Sequence, residues 1–116
     1  MRNLVLITVL LLLGCAGRHD GIVGHWKSDP HPTQLGMSTE ELCLRSDGTY
    51  STRATTQAGR FRTRGRYELR GNSLRFLVKD SVVEEDEIEL RGDTLITHDN
   101  GNALTLHYHR QRWPCW

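Results

Sequence analysis

A glycine-bearing turn recurs through most of this chain, at Asp47-Gly48, Ala58-Gly59, Gly71-Asn72, Gly92-Asp93 and Asn100-Gly101-Asn102. Between these turns apolar and polar side chains alternate, and from Ile22 onward no segment keeps a helical period for three turns. Such a rhythm favours short antiparallel strands joined by tight hairpins. Strands are expected over 21–27, 39–45, 49–57, 60–69, 73–79, 82–91 or 84–91, 94–98 and 103–112. The segment after the first strand holds Pro30, Pro32 and Gly36. It is expected as loop, because two prolines two apart resist both helix and ladder. Eight strands of this kind suit an all-β fold, a small antiparallel up-and-down barrel, since closure removes the sheet edges. The alternative is a two-sheet Greek-key sandwich, although nearly every connection is too short to cross between sheets.

Period two assigns the faces of these strands. One phase holds Ile22, Gly24, Trp26, Leu42, Leu44, Tyr50, Phe61, Tyr67, Leu74, Phe76, Val78, Ile88, Leu90, Leu104, Leu106 and Tyr108. The other carries Arg60, Arg62, Arg64, Arg66, Arg75 and Lys79, then Glu85, Glu87 and Glu89. Both phenylalanines, all three tyrosines and Trp26 fall on the inward phase. A small barrel so filled is expected to hold little empty volume. Any room lies beside the inward Thr52, Ala54, Thr56, Thr63 and Gly65, so these positions, with Tyr50 and Tyr67, are the candidate ligand-facing residues.

The start of the chain reads as an address. Arg2 precedes an apolar run from Leu4 to Leu13 broken only by Thr8. That run is half of the ~20 residues a membrane-crossing helix needs, and it fits a secretory signal. The junction Leu12-Leu13-Gly14-Cys15-Ala16 resembles the bacterial lipobox, in which a small residue precedes a cysteine that is acylated before cleavage. That resemblance implies a signal peptide over 1–14, a lipidated Cys15 with a tether over 15–21, and a folded domain over 22–116. The acyl group would be palmitate or a similar chain, and the membrane would be reached through this anchor. By the sorting rules of Gram-negative cells, Ala16 after the cysteine implies the outer membrane, facing the periplasm; a Gram-positive cell surface is the other setting. An ordinary signal with a chance cysteine is the plain alternative.

Composition agrees with an envelope address and excludes other classes. The mean hydropathy of −0.51 averages an apolar start and a polar remainder, which excludes a multi-spanning membrane protein. Fifteen basic and fourteen acidic residues leave no bulk field that argues for nucleic acid. With Cys15 assigned to lipid, Cys43 and Cys115 remain as an even pair, and in an oxidising compartment they are expected to form a disulfide tethering the tail Trp113-Pro114-Cys115-Trp116. Two free thiols are the alternative.

Gly24-His25-Trp26 on the first strand and Tyr108-His109-Arg110 on the last, around hairpin-linked strands, resemble the lipocalin-like branch of the calycins. So does the strand–turn–strand Leu42-Cys43-Leu44-Arg45-Ser46-Asp47-Gly48-Thr49-Tyr50. The resemblance covers about 21–112. It implies that Gly24 and Trp26 form the barrel base, with Arg110 packed across the indole as a cation–π lid, or Arg112 if the register slips. It departs from lipocalins in its short strands, which leave little depth for a chalice.

Other constellations weigh less. Arg60, Arg62, Arg64 and Arg66 line one strand and could meet lipid phosphate, or could be a solvated face balanced by the glutamates. His25, His107 and His109 share the outward phase of the first and last strands, a weak zinc or copper candidate beside the expectation of no metal and no cofactor. Ser28, Asp29 and His31 are close in sequence only, and no catalytic constellation or phosphate loop is present, so an enzyme is not expected. Two functions survive: a lipid-anchored barrel binding a small apolar ligand or lipid, and a filled barrel acting as an interaction or inhibitor module for another envelope protein. A pocket above about 300 Å³ would favour the first.

Overall fold

The hairpin rhythm becomes a continuous run of antiparallel ladders. The computed structural model describes residues 21–99, 101 and 104–116. The expected signal, the lipobox with Cys15 and nearly all of the tether lie outside the described residues. The strands are β1 (Gly24–Ser28), β2 (His31–Thr33), β3 (Gly36–Leu44), β4 (Thr49–Thr56), β5 (Gly59–Arg70), β6 (Ser73–Val78), β7 (Ser81–Arg91), β8 (Thr94–Asp99) and β9 (Leu104–Arg110). Each strand from β3 to β9 pairs with the next, and β1 pairs with both β9 and β3. Eight strands therefore close on themselves, as an up-and-down barrel requires.

The extra element is β2, in the segment expected as loop. His31, Pro32 and Thr33 pair with Ser38, Met37 and Gly36. Pro32 is tolerated because β2 has a ladder partner on one side alone, where a missing N–H does no harm. The interruption between β1 and β2 is satisfied locally: the Glu40 amide donates to Ser28 Oγ at 2.8 Å, and the Asp29 amide to the His107 carbonyl at 3.0 Å. β1 and β2 thus form one broken first strand against β3.

Two ends result. At the base lie the start of β1, the end of β3 and the end of β9, and here Trp26, Leu44, Leu74 and Leu95 are fully buried. Gly24 has φ of +146°, and a Cβ there would sit 2.9 Å from Arg110 Nη1. Gly65 is needed for a different reason: a Cβ on it would lie 2.0 Å from the Leu77 carbonyl oxygen and 2.9 Å from the Tyr50 ring. Its absence admits Tyr50, which stacks edge-on against Phe76 at 4.8 Å between centroids.

Three residues of the inward phase are left open to solvent. Phe61, Leu90 and Leu104 are 48%, 40% and 37% exposed, because each sits near a strand end where no opposite wall remains to cover it. Leu95, which was not assigned, joins the core. The expectation of little empty volume fails at both ends, with an open cleft of about 450 Å³ beside Ile22, Leu69, Ile88 and Leu90 at the base and a second space at the mouth. There the inward residues of β4 and β5 are small, and a cavity of about 260 Å³ opens.

Candidate functional site

The base is closed by one arginine. Trp26 pairs with Arg110 across β1 and β9, and the guanidinium carbon lies 4.2 Å from the indole centroid. Arg110 also donates to the Gly21 carbonyl at 2.8 Å, the Val23 carbonyl at 3.0 Å and Asp93 Oδ1 at 3.2 Å. Trp26 Nε1 donates to the Ile22 carbonyl at 2.8 Å. Residues 21–22 are helical, and the two side chains take up carbonyls that a helix end leaves without partners. Arg112 lies beyond β9 and is exposed.

Outside the wall, the tail is fastened to β1, β3 and β4. Cys43 and Cys115 form a disulfide with Cα atoms 5.7 Å apart, and Cys43 is fully buried beneath the tail. Trp116 carries the Arg53 guanidinium over its ring at 3.9 Å and meets the His25 ring edge-on at 5.4 Å. Glu41 binds Arg53 through Nε and Nη2 and faces His25 Nε2 at 3.5 Å. Burial acts to raise the Glu41 pKa, but the hydrogen bond and charge of Arg53 outweigh it and hold the carboxyl below its ordinary range. This second cation–π contact had no signal in strand parity, because the tail is not a strand.

The mouth carries the unusual chemistry. The cavity is lined by Leu42, Tyr50, Thr52, Ala54, Phe61, Thr63, Phe76, Val83, Thr97 and Tyr108, together with Glu40, Glu84 and Asp86. An irregularity sets the acids. Phe76 pairs with Glu84 while Leu77 pairs with Val82, so Val83 is an extra residue in β7 and turns with Glu84 toward the cavity. Oxygens of Glu84, Asp86 and Asp99 all lie within 4.8 Å of one another. Tyr108 Oη donates to Glu40 Oε2 at 2.8 Å. Burial, then the neighbouring Asp86, Asp99 and Glu40, pushes the Glu84 carboxyl up to about 8. Asp86 is raised by burial and by Asp99 and Glu40, and Tyr108 is raised well above its ordinary value by burial and by Glu40. Like charges gathered around the buried Asp86 hold protons longer, although solvent reaches Glu84.

Of the candidate ligand-facing residues, Tyr50, Thr52, Ala54 and Thr63 line this cavity. Thr56 does not: its hydroxyl is bonded to the Gly59 carbonyl at the β4–β5 turn. Tyr67 lies lower, its hydroxyl donating to the Arg45 carbonyl at 2.6 Å. The acids were missed, yet a signal existed. Glu84 and Asp86 share the parity of Ile88 and Leu90, and Glu40 that of Leu42, so period two places all three inward.

The histidines are not brought together. His25 Nδ1 faces the Trp113 carbonyl at 3.1 Å, His109 Nε2 meets Asp29 Oδ1 at 2.9 Å, and His107 is exposed. His31 Nδ1 lies 3.2 Å from the Asp29 carbonyl, and Ser28 Oγ accepts the Glu40 amide, so Ser28, Asp29 and His31 build no triad. Arg66 pairs with Asp80 at 2.8 Å. Among the described residues Arg60, Arg62 and Arg64 have no ion pair, and the glutamates of β7 that were to balance them stand beyond β6.

Comparison with known proteins supports the architecture. No protein-family model matches the chain, and no curated protein matches it. A solved structure of a lipoprotein YedD from Klebsiella pneumoniae subsp. pneumoniae is similar with a TM-score of 0.57, over 80% of this chain and 74% of that one, at 17% identity. At that identity the likeness shows a shared fold.

Proposed function

We propose that this chain is a lipid-anchored envelope protein of lipocalin-like type, whose barrel binds a small ligand at its mouth rather than performing catalysis. The observation that carries the reading is the cavity of about 260 Å³ between Tyr50, Phe76 and the small side chains of β4 and β5. It lies just below the usual range of about 300–1,000 Å³ for ligand sites, so the ligand is small. Phe61, Phe76 and Val83 offer it an apolar wall. The Trp26–Arg110 lid supports the lipocalin-like type. The anchor rests on Leu12-Leu13-Gly14-Cys15, and the description of the similar structure as a lipoprotein agrees with it. Ala16 after the cysteine supports the outer membrane, with the barrel facing the periplasm.

Native mass spectrometry of the purified protein tests this. Expected are an acylated Cys15, a bridged Cys43–Cys115 pair and a non-covalent small-molecule adduct. In Ala54→Trp, which fills the cavity, the acyl mass should stay and the adduct should vanish. An adduct that survives Ala54→Trp contradicts the mouth as the site.

A further inference from the structure

We propose that the mouth cavity takes a small organic cation, a primary ammonium or guanidinium carried on a short apolar body. The inference rests on the cavity being a ligand site and names the class of ligand. Three observations converge on it.

The first is charge. Carboxylate oxygens of Glu84, Asp86 and Asp99 lie within 4.8 Å of one another, Glu40 adds a further carboxylate, and no basic residue is among the described residues of the cavity lining. The second is an unmet hydrogen bond. Asp86 is 4% exposed, and with Glu84 ionised its Oδ1 has no hydrogen-bond partner among the described residues; a protonated Glu84 hydrogen-bonds Asp86, and a ligand cation would take the place of that proton. A buried acceptor left in this state is costly, and a donor brought by a ligand removes the cost. An ammonium brings three such donors and a guanidinium five. The third is shape. Glu40 on β3 and Glu84, Asp86 and Asp99 on β7 and β8 flank an apolar stretch of Ala54, Phe61 and Phe76 on β4 to β6, to which a bare metal ion would bring nothing. Phe61 and Val83 are 48% and 58% exposed at the rim, so an alkyl or aromatic body would cover apolar surface there. Tyr50 and Phe76 bring aromatic rings to the same lining.

Isothermal titration of the purified protein with hexylammonium chloride, 1-hexanol and calcium chloride tests the inference. Hexylammonium is expected to bind about tenfold or more tightly than 1-hexanol, the scale of a hydrogen bond to a charged group. Asp86→Asn, nearly the same shape, should abolish that preference and leave 1-hexanol binding within about twofold. Glu84→Gln should weaken hexylammonium in the same direction, and unchanged circular dichroism of both variants excludes misfolding. If 1-hexanol binds as tightly as hexylammonium, the cation inference fails and the ligand site stands. If neither binds, both readings fail. If calcium binds and hexylammonium does not compete with it, the acids are a metal site and the inference is overturned.

Discussion

Arg110 links the start of the described chain, β1 and the β7–β8 turn at the base of the barrel. It stacks on Trp26, takes two main-chain carbonyls and pairs with Asp93. Arg110→Lys keeps the charge but loses the planar stack and the fork, and should cost about 1–2 kcal/mol. Trp26→Ala removes the same stack and leaves the largest void in the core, and should cost about 3–5 kcal/mol. Chemical denaturation followed by circular dichroism measures both; equal small losses would mean that the lid contributes nothing. This contact was legible because both residues have inward parity on strands that must meet to close the barrel. The acids of the mouth were equally placed by parity. Residue type hid them, since Glu and Asp are almost never fully buried unless paired and so read as surface. The Arg53–Trp116 contact was not legible at all, because it depends on where a disulfide pins an irregular tail.

Hairpins set the register of the elements, and one of them is built against its local chemistry. Val78 pairs with Ser81 across Lys79 and Asp80, whose φ angles are +51° and +65°. A two-residue turn of this kind prefers Asn-Gly, since other side chains strain in the left-handed region. Lys79→Asn with Asp80→Gly should therefore stabilise the protein by about 0.5–1 kcal/mol, read as a higher denaturation midpoint with unchanged slope. Loss of the exposed Arg66–Asp80 pair subtracts little from this gain. This turn carries no glycine, so the glycine rhythm of the sequence passed over it. Its neighbour β5 behaves in the opposite sense. Gly65→Ala should destabilise strongly, because the added methyl meets the backbone of β6 and not a movable side chain.

Across the whole molecule, two features oppose each other in strength. The disulfide spans 72 residues and pins the tail over Cys43. Replacing both cysteines by alanine should lower stability by about 2–4 kcal/mol and free Trp116 from Arg53. The acidic mouth works the other way. A carboxyl raised from 4.5 to about 8 stays protonated in the folded barrel where the unfolded chain has released its proton. Stability therefore falls as pH rises from about 5 to about 8. Glu40, Asp86, Asp99, Tyr50 and Tyr108 face this carboxyl or contribute to the same acidic field, from β3, β7, β8, β4 and β9. Glu41 and Asp47, held low, lose their contribution only on further acidification. Solvent reaches Glu84, so the change between pH 5 and 8 should be about 1–2 kcal/mol in thermal denaturation, and Glu84→Gln should flatten it. The chemistry of the mouth depends above all on carboxylates meeting inside a closed barrel. Carbon-13 NMR titration of the Glu84 carboxyl tests that convergence directly: a midpoint near 8 is expected, and a midpoint at the ordinary 4.5 would show that these acids stand apart in water.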